Sequence, residues 1–211
     1  MKENIYLRVA LKAFLFWLLF SLAGFFWGDK LVSALLPFYE WTVEQVNPNY
    51  QADIRIEKEN QAEPKIILAA TALRNIPIVP DKELAAGKTI ESSVTVLHTL
   101  VPLVILLTVL CVFPLRNLRQ RALLLLLGIP AVFAVSALTA PLQLLGNLEI
   151  GFMNAAQKFG YSKETPWVLD WMILTEGGGR WLIPILIGLL CGVIVHHFSP
   201  QESPDTEAVA R

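Results

Sequence analysis

Four long apolar stretches alternate with polar gaps along the chain: Val9 to Trp27, Val94 to Leu115, Ala122 to Leu145 and Trp181 to Phe198. A helix rises about 1.5 Å per residue, so about 20 apolar residues cross a hydrocarbon layer of roughly 30 Å. Each stretch approaches or exceeds that length, and the pattern predicts four membrane spans. Between the first two spans the periodicity changes twice. From Leu31, the residues Leu35, Phe38, Tyr39, Val43 and Val46 recur at helical spacing, so the first helix is expected to run on to about residue 46 and stop at Asn47-Pro48-Asn49. Tyr50, Ala52, Ile54 and Ile56 then alternate with Gln51, Asp53, Arg55 and Glu57, which predicts a half-buried strand. A second strand over Lys65 to Leu73 follows the polar turn Lys58 to Pro64.

The predicted fold class is an all-α membrane protein, a four-transmembrane-helix bundle with a small external β-containing insert after the first helix. In residue numbers, a tail over 1–8 precedes spans over 9–27, 94–115, 122–145 and 181–198, with a second tail over 199–211. The insert occupies 47–93, a tight inner turn 116–121, and interfacial helices 146–180. Composition agrees: 55% of the residues are hydrophobic and 17% charged, against about 25% charged in a soluble domain. Val94 to Leu115 and Ala122 to Leu145 contain no Lys, Arg, Asp or Glu, which suits segments facing lipid or one another.

Sidedness follows from the basic residues. Lys2, Arg8 and Lys12 mark the N-terminal end, and Arg116, Arg119 and Arg121 mark the turn between the second and third spans. Basic residues in short loops stay on the cytoplasmic side, so both termini are expected in the cytoplasm of a bacterial inner membrane, with 29–93 and 146–180 outside. A cleaved leader fits poorly, because the first apolar run is bulky, aromatic and followed by no small-residue cleavage site.

The insert is too small for a roomy core of its own, and a two-stranded hairpin is marginal in water. It therefore needs a surface to lie on: its own helices, its own second external segment, a second copy or a different membrane protein. In the second external segment Leu148, Phe152, Met153, Ala156 and Phe159 can share a helical face, and Thr165-Pro166 reads as the start of a helix carrying Trp167, Trp171 and Met172. Both pieces are expected to lie on the outer membrane surface, where Trp rings rest between acyl chains and headgroups.

Chemical motifs are sparse. Gly87-Lys88-Thr89 lacks the upstream glycine of a phosphate-binding loop, since position 82 is Lys. Cys111, Cys191, His196 and His197 gather near the inner ends of their spans without metal-ligand spacing, so neither metal nor cofactor is expected. Nothing points to nucleic acid. The outer rim is the one candidate site. His98 lies at the outer end of the second span and Arg180 opens the fourth, while Glu149, Asp170 and Glu176 sit on the adjoining segment. Arg180 at a hydrocarbon boundary can be a snorkelling anchor or can pair a carboxylate, its own or a partner's, with His98 as a titratable neighbour. Gly177-Gly178-Gly179 before it permits close backbone approach. Gly24 with Gly28, and Gly188 with Gly192, are small-x-x-x-small pairs that suit helix packing, whether internal or between copies.

Four spans, an external β-containing insert, an Arg-bearing inner turn and a second external helix leading into Gly179-Arg180-Trp181-Leu182-Ile183-Pro184 resemble the exosortase H-associated membrane proteins. That resemblance implies an accessory inner-membrane protein that assists a protein-sorting transpeptidase of the Gram-negative envelope. The sorting enzymes use a Cys, an Arg and a His at the outer membrane face. Here both Cys residues are expected at the opposite face, which argues against this chain being the transpeptidase. The expected function is a non-enzymatic accessory protein with a lipid bilayer and a membrane protein, or a second copy, as partners. The alternatives are a membrane-embedded enzyme of envelope biogenesis built on His98, Glu176 and Arg180, and a small channel or permease subunit.

Overall fold

A computed structural model describes residues 3–58, 63–80, 82–115, 117–162 and 164–198. Lys2, part of the Lys58 to Pro64 turn, Arg116 and the tail from 199 lie outside the described residues. Helix α1 runs unbroken over Glu3–Val46, strands β1 to β5 follow over Tyr50–Glu57, Lys65–Ala72, Ile76–Val79, Lys82–Leu84 and Thr89–Thr95, and the remaining elements are helices. Helix α2 spans Val96–Val112, α3 Leu118–Lys158, α4 Trp167–Leu174 and α5 Arg180–Phe198, with a π turn over Thr175–Gly179 joining the last two. Three helical segments, Tyr6–Val46, Leu118–Lys158 and Trp167–Phe198, are long and apolar enough to cross a membrane. Helix α2 is equally apolar but has 17 residues, about 26 Å of helix.

Helix α2 is the hub, and glycines on its neighbours make room for it. A Cβ on Gly28 would come within 2.5 Å of Leu100, one on Gly128 within 3.0 Å of Leu110, and one on Gly188 within 2.7 Å of Val109. A Cβ on Gly192 would enter the Phe113 ring. Both small-x-x-x-small pairs are thus used inside one chain, α1 and α5 each pressing onto α2. The same contacts set directions. Gly28 lies by Val96 and Gly24 by Val104, so α1 is antiparallel to α2, whereas Gly188 lies by Leu106 and Gly192 by Phe113, so α5 is parallel to it.

The insert differs from the expected hairpin. β1, β2 and β5 form an antiparallel sheet in that order, and β3 with β4 makes a separate two-stranded ribbon. Tyr50, Ile54, Ile66, Leu68, Ala70 and Val94 point inward and join one core with Val43 of α1 and Leu144, Leu148 and Phe152 of α3. Outward positions carry Arg55 bonded to Glu91 at 2.9 Å and the paired hydroxyls of Thr71 and Thr89. Burial, and then the nearby Glu149 carboxylate, push the Tyr50 phenol well above its ordinary range.

Both edges of the three-stranded sheet bond to the chain's own helices. On β1 the Ala52 and Ile54 amides donate to the Glu44 and Glu40 carboxylates at 3.2 and 2.9 Å. On β5 the Ser92 hydroxyl donates to the Leu144 carbonyl at 2.8 Å, and Asn147 donates to the Ser93 carbonyl at 3.1 Å. The insert therefore lies on α1 and α3, which take up two amides of β1 and one carbonyl of β5. Replacing Glu40 and Glu44 together by Ala is expected to raise amide exchange at Ala52 and Ile54 about tenfold, one lost hydrogen bond at each, while Leu68 in the middle strand keeps its protection.

Three boundaries move. β5 takes Val94 and Thr95 out of the expected second span, so α2 starts at Val96 and ends at Val112. The helix expected over 122–145 does not stop at Leu145: α3 continues to Lys158, and Leu148, Phe152 and Ala156 are buried along it. Pro166 caps α4 from just outside its first turn, with Leu169 N bonded to its carbonyl at 2.9 Å.

Candidate functional site

The rim cluster assembles from three parts of the chain. β5 passes into α2 without a linker and places His98 in the first turn. Helix α3 supplies Thr139 and Gln143, one turn apart on one face. The π turn and the start of α5 supply Glu176 and Arg180, four residues apart and ion-paired.

The polar side chains bond to one another. Glu176 Oε1 accepts from His98 Nε2 at 3.0 Å and from Gln143, while Oε2 accepts from Arg180. Arg180 Nη1 lies against the imidazole, in contact with both of its ring nitrogens. The Arg180 side chain is 17% exposed, His98 30% and Glu176 39%, so the cluster sits at the surface of the fold, partly covered. Space among its residues is about 10 Å³, room for about one water molecule.

The backbone that makes this possible is unusual. Gly178 adopts φ 129°, ψ −12°, a kink that lets α4 and α5 meet at an angle while Glu176 and Arg180 still face His98. A Cβ on Gly179 would sit 2.9 Å from the Leu174 carbonyl oxygen, whereas Gly177 has open space around it. Helix α4 is pinned beside the kink. Met172 fills the notch left by Gly146, and Trp171 Nε1 donates 2.7 Å to the carbonyl of Leu138, in the turn that Pro141 disrupts.

Of the residues singled out in the sequence, His98, Glu176 and Arg180 meet in one cluster, with Gly178 and Gly179 shaping its backbone. Asp170 is exposed on α4 and does not line the cluster. Glu149 acts on Tyr50 instead. Gln143 went unnoticed, although a signal exists: Thr139, Gln143 and Asn147 form a polar ridge at four-residue spacing on an otherwise apolar helix. Cys111 is exposed and Cys191 buried, and among the described residues no group of His, Cys, Asp and Glu could hold a metal ion. Comparison with family models, curated proteins and solved structures gives no match to this chain.

Proposed function

We propose that this chain is a four-span accessory protein of a bacterial inner membrane, both termini cytoplasmic, that binds a membrane partner without catalysing a reaction and serves a protein-sorting system of the exosortase type. The alternating helix directions support the span count, since antiparallel α1 and parallel α5 around α2 bring the chain ends to one side. Helix α2 is short for a span, but it carries no formal charge and is enclosed by spanning neighbours.

The observation that carries the non-catalytic reading is the closure of the rim cluster. Its carboxylate is engaged at both oxygens and the space among its side chains is about 10 Å³. A partner surface is available elsewhere. Only 6% of the apolar window in α1 is buried, and Phe14, Trp17, Leu18, Phe25 and Phe26 are exposed along it. Photo-crosslinking residues placed at Leu18 and Phe25 in native membranes are expected to trap a discrete protein adduct, with none from Leu186 on α5. Lipid adducts alone at all three positions would overturn the reading.

The convergence of His98, Glu176 and Arg180 favours one second reading, a membrane-embedded enzyme whose cluster opens on substrate. That reading requires Arg180→Ala to abolish turnover while the α1 adduct persists.

A further inference from the structure

We infer that the groove between α1 and α2 holds a single acyl chain of a membrane phospholipid. This rests on the apolar helices lying in a bilayer and not on a protein partner, so a missing protein adduct at α1 leaves it standing. Trp17, Ser21 and Gly24 line the groove from one face of α1, Val101 and Val104 line it from α2, and Trp181 at the start of α5 completes it. The enclosed space is about 200 Å³. Gly24 makes the floor: a Cβ there would lie 3.7 Å from Leu100 and 4.0 Å from Val104, so α1 and α2 meet with no larger side chain between them.

Width and chemistry select the occupant. The lining on α1 runs from Trp17 to Phe25, about 12 Å of helix, so a volume of about 200 Å³ makes a channel about 4 Å across. Non-bonded carbons approach one another to about 4 Å, and a channel of that width takes one file of methylenes. A helix with its side chains is about 10 Å across, so its backbone stays outside. No lining residue carries a formal charge, and a hydrocarbon chain suits the whole length. In a bilayer, apolar groups gain nothing by exchanging lipid for protein, so contact decides. A chain in the groove is touched by α1, α2 and Trp181 at once, whereas a chain on a convex helix face is touched from one side.

The ends of the groove give the lipid a direction. Leu97 precedes His98 and Trp181 follows Arg180, so one end adjoins the rim cluster, while Trp17 lies further back along α1. The headgroup belongs at the cluster end and the chain runs toward Trp17. Trp181, more than half exposed, is the kind of ring that rests between acyl chains and headgroups. Glu176 and Arg180 are already paired with each other, so the site selects the chain and not the headgroup charge.

The test is native mass spectrometry of the full chain, moved into mild detergent from nanodiscs of phosphatidylethanolamine and phosphatidylglycerol. One phospholipid per chain is expected to survive a wash that strips the rest. Ser21→Phe and Val101→Phe, which put a ring into the channel, are expected to lose it, whereas Leu126→Phe on the exposed face of α3 keeps it. A phosphatidylethanolamine with a diazirine in its acyl chain, photolysed in the unaltered protein after the same wash, needs no variant and is expected to mark residues 17–25 and 97–104. No retained lipid, retention undiminished in both groove variants, or adducts spread evenly over α3 and α5 overturns the inference. A polypeptide retained in place of the lipid overturns it as well.

Discussion

Gly188→Ile is expected to be the most damaging single substitution in the bundle, costing about 3 kcal/mol or more of stability in mild detergent, read as a lowered midpoint of thermal unfolding. A Cβ there would lie 2.7 Å from Val109 Cγ1 and 3.0 Å from its Cβ. Val109 cannot swing aside as a long side chain would, because its branch is anchored at the backbone of α2. Relief must come from pushing two helices apart, which loosens every contact along that seam. Gly151 provides the control. Nothing lies within 4 Å of its added Cβ, and Gly151→Ala is expected to leave the midpoint unchanged or slightly raised, since Ala is the better helix former. Equal losses from the two substitutions would show that α5 does not press on α2 through Gly188.

Gly178→Ala is expected to cost about 2 kcal/mol through backbone strain alone, because φ 129° belongs to a region that side chains rarely adopt. Open space surrounds the site, so no steric clash is involved and a larger residue should cost little more than Ala. The sharper consequence is coupling. If Gly178 holds Glu176 toward His98, then Glu176→Gln should be damaging in the parent and nearly neutral in the Gly178→Ala background. Unfolding midpoints of the two single variants and the double variant measure this, and strict additivity would separate the kink from the cluster.

Legibility in the sequence followed the strength of the local pattern. The extension of α1 to Val46, its stop at Asn47-Pro48-Asn49, β1, β2, α4 and the start of α5 all rest on periodicity or on Pro and Gly signals, and the chain folds that way. β5 was hidden because Val94 and Thr95 read as the beginning of an apolar run, so strand and helix merged into one predicted span. The far half of α3 was hidden because Gly146, Asn147, Glu149 and Gly151 resemble a break. Gly146 exists to admit Met172, and Asn147 reaches the Ser93 carbonyl, contacts that only the tertiary structure supplies. Likewise, the meeting of His98 with Glu176 and Arg180 spans some eighty residues of chain, beyond any local signal. Residue type at a predicted boundary nominated all three, whereas Gln143, inside an apolar stretch, was masked by its neighbours.

The uninterrupted passage of β5 into α2 makes the three-stranded sheet and the central helix a single lever. A force or a bound body that tilts the sheet turns the hub on which three other helices bear, with no slack segment to absorb the movement. One residue inserted between Thr95 and Val96 would rotate α2 by about 100° about its axis and turn every glycine-lined seat away from its side chain at once.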